Sequence, residues 1–316
     1  MKALTPIAAA ILIATSGSVF AANNTTTQNQ AGVANLAVST QVGPGNDNNT
    51  VTQTQIGNVN FSNALQALGS DTNQINHSQV GNGNSANSFQ LGGSLNTASV
   101  TQVGNGNGAL TTQAAPALGS AAAINQAGDT NFGSVFQTAS LGDVGTVNQL
   151  GTSNFATVTQ ILSAGNSALV NQAGTANIAN LGQVAAVGNT AVANQAGTLN
   201  IATHAQSGLL NSSSSSQLGT LNNATVLQAG LGHDSTTLQA GFGNISIHAQ
   251  TGSLHDAFTA QAGIINIATI TQGGVGHSAQ TLQAGTLNVH TTVQLGSNET
   301  AIANQAGAFN VGFIFQ

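Results

Sequence analysis

Amide-bearing and small residues alternate with other residues along this chain. In the stretch 200–206, which reads NIATHAQ, the Asn, Ala, His and Gln occupy the even positions. Successive side chains of a strand point to opposite faces, so this stretch predicts a β-strand with one amide-rich face. The next four residues, SGLL, are typical of a turn because Gly208 can adopt a positive φ.

The same alternation recurs as the pattern Q-x-G-x-x-N-x-(A/S/G/H)-x-x-x-Q, which occurs 13 times. The first Gln of each copy is Gln30, Gln55, Gln79, Gln102, Gln126, Gln149, Gln172, Gln195, Gln217, Gln239, Gln261, Gln283 or Gln305. The glycines are Gly32, Gly57, Gly81, Gly104, Gly128, Gly151, Gly174, Gly197, Gly219, Gly241, Gly263, Gly285 and Gly307. The Asn is Asn35 and Asn60 in the first two copies and Asn200, Asn222, Asn244, Asn266, Asn288 and Asn310 in the last six. The closing Gln in those copies is Gln41, Gln66, Gln206, Gln228, Gln250, Gln272, Gln294 and Gln316.

The spacing of these glutamines predicts the architecture. From Gln195 onward a Gln recurs every 11 residues, whereas earlier gaps after the closing Gln are 12 to 14 residues long. Pro44 and Pro116 fall in these longer gaps, where no ladder N–H is lost. A repeated unit of about 22 residues in two halves predicts strand–turn–strand–turn rungs. We therefore expect an all-β fold, a β-solenoid of about 13 stacked rungs, roughly 60 Å long at the usual strand spacing.

The constant parity of the Asn, small and Gln positions places them inside. Stacked amides can hydrogen-bond along the column and so satisfy buried polar groups. The first outward position of the strand that follows the Asn is mostly apolar, and it permits two interpretations: ordinary strand propensity, or a stripe for lateral contact. That position holds Leu36, Phe61, Phe132, Phe155, Ile178, Ile201, Ile245, Ile267, Val289 and Val311.

Composition narrows the possible functions. Residues 1–21 have the features of a secretory signal peptide: Lys2, an apolar run at 7–14 and small residues at Val19 and Ala21. They are followed by a short segment, 22–29, and the repeats, 30–316. Lys2 is the only basic residue, which argues against binding to nucleic acid or to anionic lipid. The sequence has no second hydrophobic stretch, so we expect no membrane insertion. It also has no Cys, so it cannot form disulfides.

Three histidines are the only candidates for metal chemistry. His233, His255 and His277 lie 22 residues apart and should stack on successive rungs, facing inward. They could share a metal ion such as zinc or copper, or form a neutral column that takes over the role of Asn. Asp234 should point away from His233, so residues 233–235 (HDS) do not predict a catalytic triad. We expect no cofactor and no enzymatic activity.

These repeats resemble those of the curlin family, whose unit is S-x5-Q-x-G-x-x-N-x-A-x-x-x-Q. The stretch 195–206, QAGTLNIATHAQ, matches that unit from its first Gln, and the resemblance covers residues 30–316. It implies a secreted subunit that polymerises into curli-type amyloid fibres of the biofilm matrix at the surface of a Gram-negative bacterium. It also implies a nucleator subunit, and an outer-membrane secretion channel with accessory chaperones. The chain departs from the family in its 13 repeats and in having Asn, His or another polar residue at most positions of the leading Ser.

The segment 310–316 predicts an apolar edge strand that receives the first repeat of another copy, giving a head-to-tail homopolymer. Three alternatives stay open: a fibre nucleator, a monomeric adhesin stalk, and an ice-binding β-solenoid. The last is suggested by outward Thr positions, although residues such as Gln74 and Ala121 interrupt the Thr columns.

Overall fold

A computed structural model describes residues 23–316 of the chain. The predicted signal peptide, 1–21, lies outside the described residues. Residues 23–316 form β-strands and turns, and this part of the chain has no helix capable of crossing a membrane.

Twenty-six strands form two parallel sheets of 13 strands each, one from the odd-numbered and one from the even-numbered strands. The odd sheet comprises β1 (Thr25–Ala31), β3 (Thr50–Asn58), β5 (Gln74–Asn82), β7 (Thr97–Asn105), β9 (Ala121–Asp129), β11 (Val144–Thr152), β13 (Ser167–Thr175), β15 (Thr190–Thr198), β17 (Ser212–Thr220), β19 (Asp234–Phe242), β21 (Asp256–Ile264), β23 (Ser278–Thr286) and β25 (Thr300–Ala308). The even sheet comprises β2 (Leu36–Val42), β4 (Phe61–Ala67), β6 (Ser85–Leu91), β8 (Gly108–Ala114), β10 (Phe132–Leu141), β12 (Phe155–Ala164), β14 (Ile178–Val187), β16 (Ile201–Leu209), β18 (Asn223–Leu231), β20 (Ile245–Ser253), β22 (Ile267–Val275), β24 (Val289–Ser297) and β26 (Val311–Phe315).

One odd strand and the even strand that follows it make one rung, and we number the rungs 1 to 13 along the chain. Strands pair with their counterparts on the neighbouring rung in a register that aligns each Gln with the next, as Gln195 with Gln217. The offset between paired Gln residues falls from 25 residues at the first rung to 22 beyond Gln195. The predicted β-solenoid is therefore confirmed. Its first strand, β1, begins at Thr25.

The strands are longer than the sequence suggests. Strand β16 runs from Ile201 to Leu209, whereas the alternation predicts a strand ending at Gln206 and a four-residue turn. The parallel register continues through Gly208, which lies opposite Gly230 of the next rung. The glycine therefore bends a continuing strand rather than ending it. Only Leu210, at φ 54°, and Asn211 separate β16 from β17.

The core lies in the narrow space between the two sheets, and its side chains complement one another in size. Ile124 and Val147 are fully buried in one sheet, opposite Gly133 in the other. A Cβ on Gly133 would lie 2.8 Å from Cγ2 of Ile124, so a large residue on one sheet is accommodated by a missing side chain on the other. Pro44 and Pro116 lie outside the strands, in the longer turns, as predicted.

The glycines of the pattern form a column in which backbones approach too closely for any side chain. Gly197 has φ +125°, and a Cβ built on it would overlap the carbonyl oxygen of Gly219 on the next rung. Gly119, in a longer turn, differs: its φ is +63° and a Cβ there would meet nothing within 4 Å. Substitutions at these two glycines therefore distinguish the cost of steric overlap from the cost of a left-handed backbone.

We expect Gly197→Ala to lower the free energy of unfolding by more than about 2 kcal/mol, because it adds overlap to the conformational cost. Gly119→Ala, the matched control, should lower it by only about 1 kcal/mol. Urea unfolding of freshly prepared soluble chain measures both. Equal losses in the two variants would show that the glycine column is not closely packed.

Candidate functional site

The most regular feature of the interior is a pair of glutamine columns. The first Gln column contains the first Gln of each rung, and the closing Gln column contains the last. In both, Nε2 of each Gln donates to Oε1 of the Gln on the next rung, as from Gln195 to Gln217 at 2.9 Å and from Gln206 to Gln228 at 2.8 Å. In the inner rungs, the Gln residues of these two columns are at most 2% exposed. Every bond in these columns has the same direction along the solenoid.

A second hydrogen bond from the same amide ties the two sheets together. Nε2 of Gln195 also donates to the backbone oxygen of Ile178 in the even sheet, at 2.9 Å. Nε2 of Gln206 donates to the backbone oxygen of Thr190 in the odd sheet, at 2.8 Å. Each buried amide nitrogen thus uses both of its protons. Since an unpaired buried polar group costs about 1–3 kcal/mol, these columns bind rung to rung and sheet to sheet.

The Asn of each pattern forms a third column, the Asn column, at the corner between the odd and even strands. The backbone N–H of Asn222 donates to Oδ1 of Asn200 on the preceding rung, at 3.1 Å. Nδ2 of Asn200 donates forward to the carbonyl of Gly219, at 3.0 Å. The side-chain oxygen of Asn therefore accepts from the following rung, whereas that of Gln accepts from the preceding one.

A fourth column, the leading column, lines the opposite corner with several residue types. It contains Asn49, Asn73, Asn96, Ser120, Asp143, Asn166, Asn189, Asn211, His233, His255, His277 and Glu299. Where it is Asn, its oxygen accepts the next backbone N–H, as Asn166 accepts from Asn189 at 2.7 Å. Asp143 accepts from the N–H of Asn166 and from the hydroxyl of Ser163, and burial raises its carboxyl pKa.

The three predicted histidines stack inside this column. The rings of His233 and His255, and those of His255 and His277, have centroids 4.9 Å apart and are nearly parallel. Nδ1 of His255 accepts the N–H of His277 at 3.2 Å, and Nε2 of His255 donates to the carbonyl of Thr251 at 2.9 Å. Both ring nitrogens thus make the bonds that Asn makes elsewhere in the column. Burial lowers the pKa of His233 and of His255, which favours the neutral ring.

The structure does not assemble the other chemistry considered from the sequence. Asp234 points outward while His233 and Ser235 point inward, so the three do not form a triad. Within residues 23–316, no three His, Cys, Asp or Glu side chains are grouped so as to hold a metal ion.

Three more histidines, at the centre of the core, were not singled out as sites from the sequence. Each shares a hydrogen bond through Nε2 with a hydroxyl one half-rung later: His77 with Ser88, His204 with Ser215, and His248 with Thr259, at 2.6, 2.9 and 2.7 Å. Burial lowers the pKa of His77 and His248 to about 3 and that of His204 to about 4. A signal was present, because each hydroxyl residue follows its histidine by 11 positions.

The two outermost described rungs expose opposite ends of the amide columns. At rung 13, Nε2 of Gln305 donates to the backbone of Val289, while its Oε1 accepts from Gln283. A hollow of about 520 Å³ opens there, lined in part by His290, Gly312 and Ile314. At rung 1, Nε2 of Gln30 already donates to Gln55, which leaves its Oε1 facing outward along the axis.

Breaking one Gln column should cost more than one hydrogen bond. In Gln217→Leu, Nε2 of Gln195 loses its acceptor and Oε1 of Gln239 loses its donor, so we expect a loss of about 2–6 kcal/mol in unfolding free energy. The outward neighbour variant, Ser216→Ala, should change stability by less than about 0.5 kcal/mol. Urea unfolding compares them, and similar losses in the two variants would contradict the role of the column.

The histidine stack should make folding sensitive to acid. Because the folded pKa of His233 and His255 is lowered, their stability is fully present above the unfolded pKa of about 6.5 and is lost as pH falls toward the folded values. We expect the triple variant His233→Asn, His255→Asn, His277→Asn to lose less stability than wild type between pH 7.5 and 5. Urea unfolding at both pH values is the measurement. Equal losses would refute this prediction, since Asn preserves the column bonds without titrating.

Comparison with known proteins adds no identification: no protein-family model matches the chain, and no curated protein matches it.

Proposed function

We propose that this chain is a secreted structural subunit that polymerises head to tail into an extracellular, curli-like amyloid fibre. The observation that carries the proposal is the single direction of the amide bonds in each Gln column. A column of this kind leaves donors at one end and acceptors at the other. Two copies placed in line can therefore continue the same column without any rearrangement.

The donors and acceptors at the two outermost rungs match. Rung 13 presents Nε2 of Gln305 and of Gln316, each of which also donates to a backbone carbonyl of the same rung or the one before. Rung 1 of a following copy presents Oε1 of Gln30 to the first of these donors. The Asn column offers the reverse pair, because Oδ1 of Asn310 stands where it would accept the backbone N–H of Asn35. The opposed directions of the two columns select one orientation of the incoming copy.

The strand edges support the same joint. Strands β25 and β26 run parallel to β1 and β2, so the two sheets can continue across the joint with Gln305 over Gln30 and Gln316 over Gln41. Ile314 faces inward yet is only partly buried, whereas its counterparts on the two preceding rungs, Thr292 and Ile270, are fully buried. An additional rung would cover the hollow beside Gly312. Edge strands with unpaired backbone groups are general templates for such addition.

The resemblance of the repeats to curlin supports the proposed location and partners. On that basis we propose export through an outer-membrane channel with accessory chaperones, and a nucleator subunit that starts growth. The composition is compatible with an extracellular protein. Many small exported proteins are stabilised by disulfides, whereas this chain has no cysteine and is stabilised by its amide columns.

A substitution at the joint should slow growth without unfolding the subunit. In Gln305→Glu the side chain still accepts from Gln283, but it has no proton for the next copy and places a carboxylate against Oε1 of Gln30. We expect elongation from preformed seeds to slow at least about tenfold. That factor corresponds to about 1.4 kcal/mol, for the loss of one hydrogen bond and the repulsion between the carboxylate and Oε1 of Gln30. Dye-binding kinetics measure elongation.

The matched control is Asn304→Asp, which adds the same charge one residue earlier on the exposed outer face and should elongate at nearly the wild-type rate. Fibre diffraction of the wild-type chain should show the strand spacing of about 4.8 Å along the fibre axis. Purified chain that stays monomeric at high concentration and with seeds would refute the proposed function. Equal rates for the two variants would refute this joint.

A further inference from the structure

A long trough runs along the outer face of the odd sheet. On each rung it is bounded by the residue before the first-column Gln and the residue after it, such as Ala260 and Ala262 on either side of Gln261. Two stretches of about 680 and 610 Å³ share Ser216 and Leu218, so the trough is continuous from Thr101 in rung 4 to Ala306 in rung 13. In rungs 10 to 13 the residue after the Gln is always Ala, at Ala240, Ala262, Ala284 and Ala306. The residues that line these two stretches are all uncharged.

A ridge of large apolar side chains lies three residues further along the same corner. It consists of Leu199, Leu221, Ile265, Leu287 and Phe309, in rungs 8, 9, 11, 12 and 13, with φ between 54° and 60°. Left-handed backbone is costly for residues of this size, and Gly or Asn would adopt it more easily. The chain does use glycine at this corner, at Gly83, Gly106 and Gly243. Even so, Leu199 and Leu221 are each 45% exposed and Phe309 is 73% exposed.

The ridge belongs to the C-terminal half of the solenoid. In rungs 2 to 7 the residue just before this corner position is polar, and those of rungs 2 to 5 bond to one another from rung to rung. Nδ2 of Asn82 donates to Oδ1 of Asn105, and Nδ2 of Asn105 donates to Asp129, at 3.1 and 3.0 Å. In the C-terminal half the same position is mixed: Phe242 and Ile264 are exposed apolar residues, whereas rungs 8, 9 and 12 have Thr. The large apolar residues of the ridge are therefore a feature of the C-terminal half, because the corner position of the N-terminal half holds Ala, Val, Gly, Thr or Ser.

We infer that two copies of this chain pair side by side, with the ridge of one copy in the alanine-lined trough of the other. Ridge and trough repeat at the same rung spacing, so they stay in step over rungs 8 to 13, where Gly243 of rung 10 is the one break in the ridge. Because both lie on one corner, a two-fold arrangement lets each copy contribute a ridge and a trough. Neither surface carries a charge, which suits an apolar contact between identical chains.

The size of the contact determines when pairing occurs, and this step rests on the proposed fibre. Six rungs are roughly 29 Å long at a spacing of about 4.8 Å, so a ridge about 10 Å wide covers roughly 300 Å². Since each copy contributes a ridge and a trough, the pair buries roughly 600 Å² on each partner. A stable complex of two proteins needs about 800 Å² on each partner. Single subunits should therefore remain apart, whereas a filament repeats the contact in every subunit and gains avidity.

The test replaces ridge residues by one that suits the left-handed backbone. We expect filaments of the triple variant Leu199→Asn, Leu221→Asn, Leu287→Asn to be single, with half the wild-type mass per length in scanning transmission electron micrographs. Their elongation rate should equal that of wild type, because the joint is unchanged. The control variant Ala34→Asn, Val59→Asn, Ala176→Asn makes the same exchange at φ 54° to 58° in rungs 1, 2 and 7 and should form paired filaments.

A cross-link provides a second readout that the head-to-tail joint cannot produce. The chain has no Cys, and Leu221 and Ala240 lie three or more rungs from either end of the solenoid. In a mixture of Leu221→Cys and Ala240→Cys chains, oxidation should give a disulfide-linked dimer in filaments and not in dilute subunits. The inference is overturned if wild-type filaments are single, if the ridge variant stays paired, or if no such dimer forms.

A dye attached at Ala240→Cys identifies a different occupant of the trough. Single wild-type filaments in which this dye responds to dodecyl maltoside would assign the trough to an amphiphile and overturn pairing. If the chain forms no filament, the proposed function fails. The pairing that depends on the filament then fails with it, whereas wild-type filaments that form but stay single overturn pairing alone.

Discussion

The fold depends on the requirement that a buried amide find a partner for both its donor and its acceptor. A buried Gln amide between two sheets has no water to bond, and leaving it unpaired costs more than a hydrogen bond returns. Here each Gln bonds to the same atom of the same residue one rung away, as Gln195 does to Gln217. That solution works only if the backbone returns to the same place on every rung. The constant interval of 11 residues from the first Gln to the closing Gln of each rung, and the closely packed glycine column, are consequences of that requirement.

Because the amide columns hold the register, the space between them tolerates varied contents. Ile124 packs opposite Gly133, and His248 bonds to Ser235 and Thr259 across the same space. Each core side chain contacts only side chains of its own rung and of the one or two neighbouring rungs. A change in one rung is therefore accommodated by its immediate neighbours. The histidines of the leading column show the same tolerance, because an imidazole offers an acceptor and a donor at nearly the positions of an Asn amide.

A column in which each amide donates to the amide of the next rung has a direction. That direction limits how another rung can be added. The Gln and Asn columns point their acceptors opposite ways, so an added rung fits in one orientation. The sides of the solenoid are also uneven, with hydrogen-bonded Asn and Asp residues at one corner of rungs 2 to 5 and the large apolar ridge at the same corner of rungs 8 to 13. In the fibre that we propose, growth along the axis and contact across it depend on different residues, so substitutions can separate the two.

The repeat by itself determined the number of rungs, the inward parity of the Asn and Gln positions and the stacking of His233, His255 and His277. These properties follow from spacing along one chain, because residues one period apart in a solenoid occupy equivalent places. Only the tertiary structure decided which residues meet across the two sheets, such as His77 with Ser88 or Gly133 with Ile124. It also decided that strands continue past Gly208, and that Leu199 adopts a left-handed backbone beside a trough. Those features depend on how the two sheets are offset and bent. Packing between the sheets determines that geometry, and it produces no periodic pattern in the sequence.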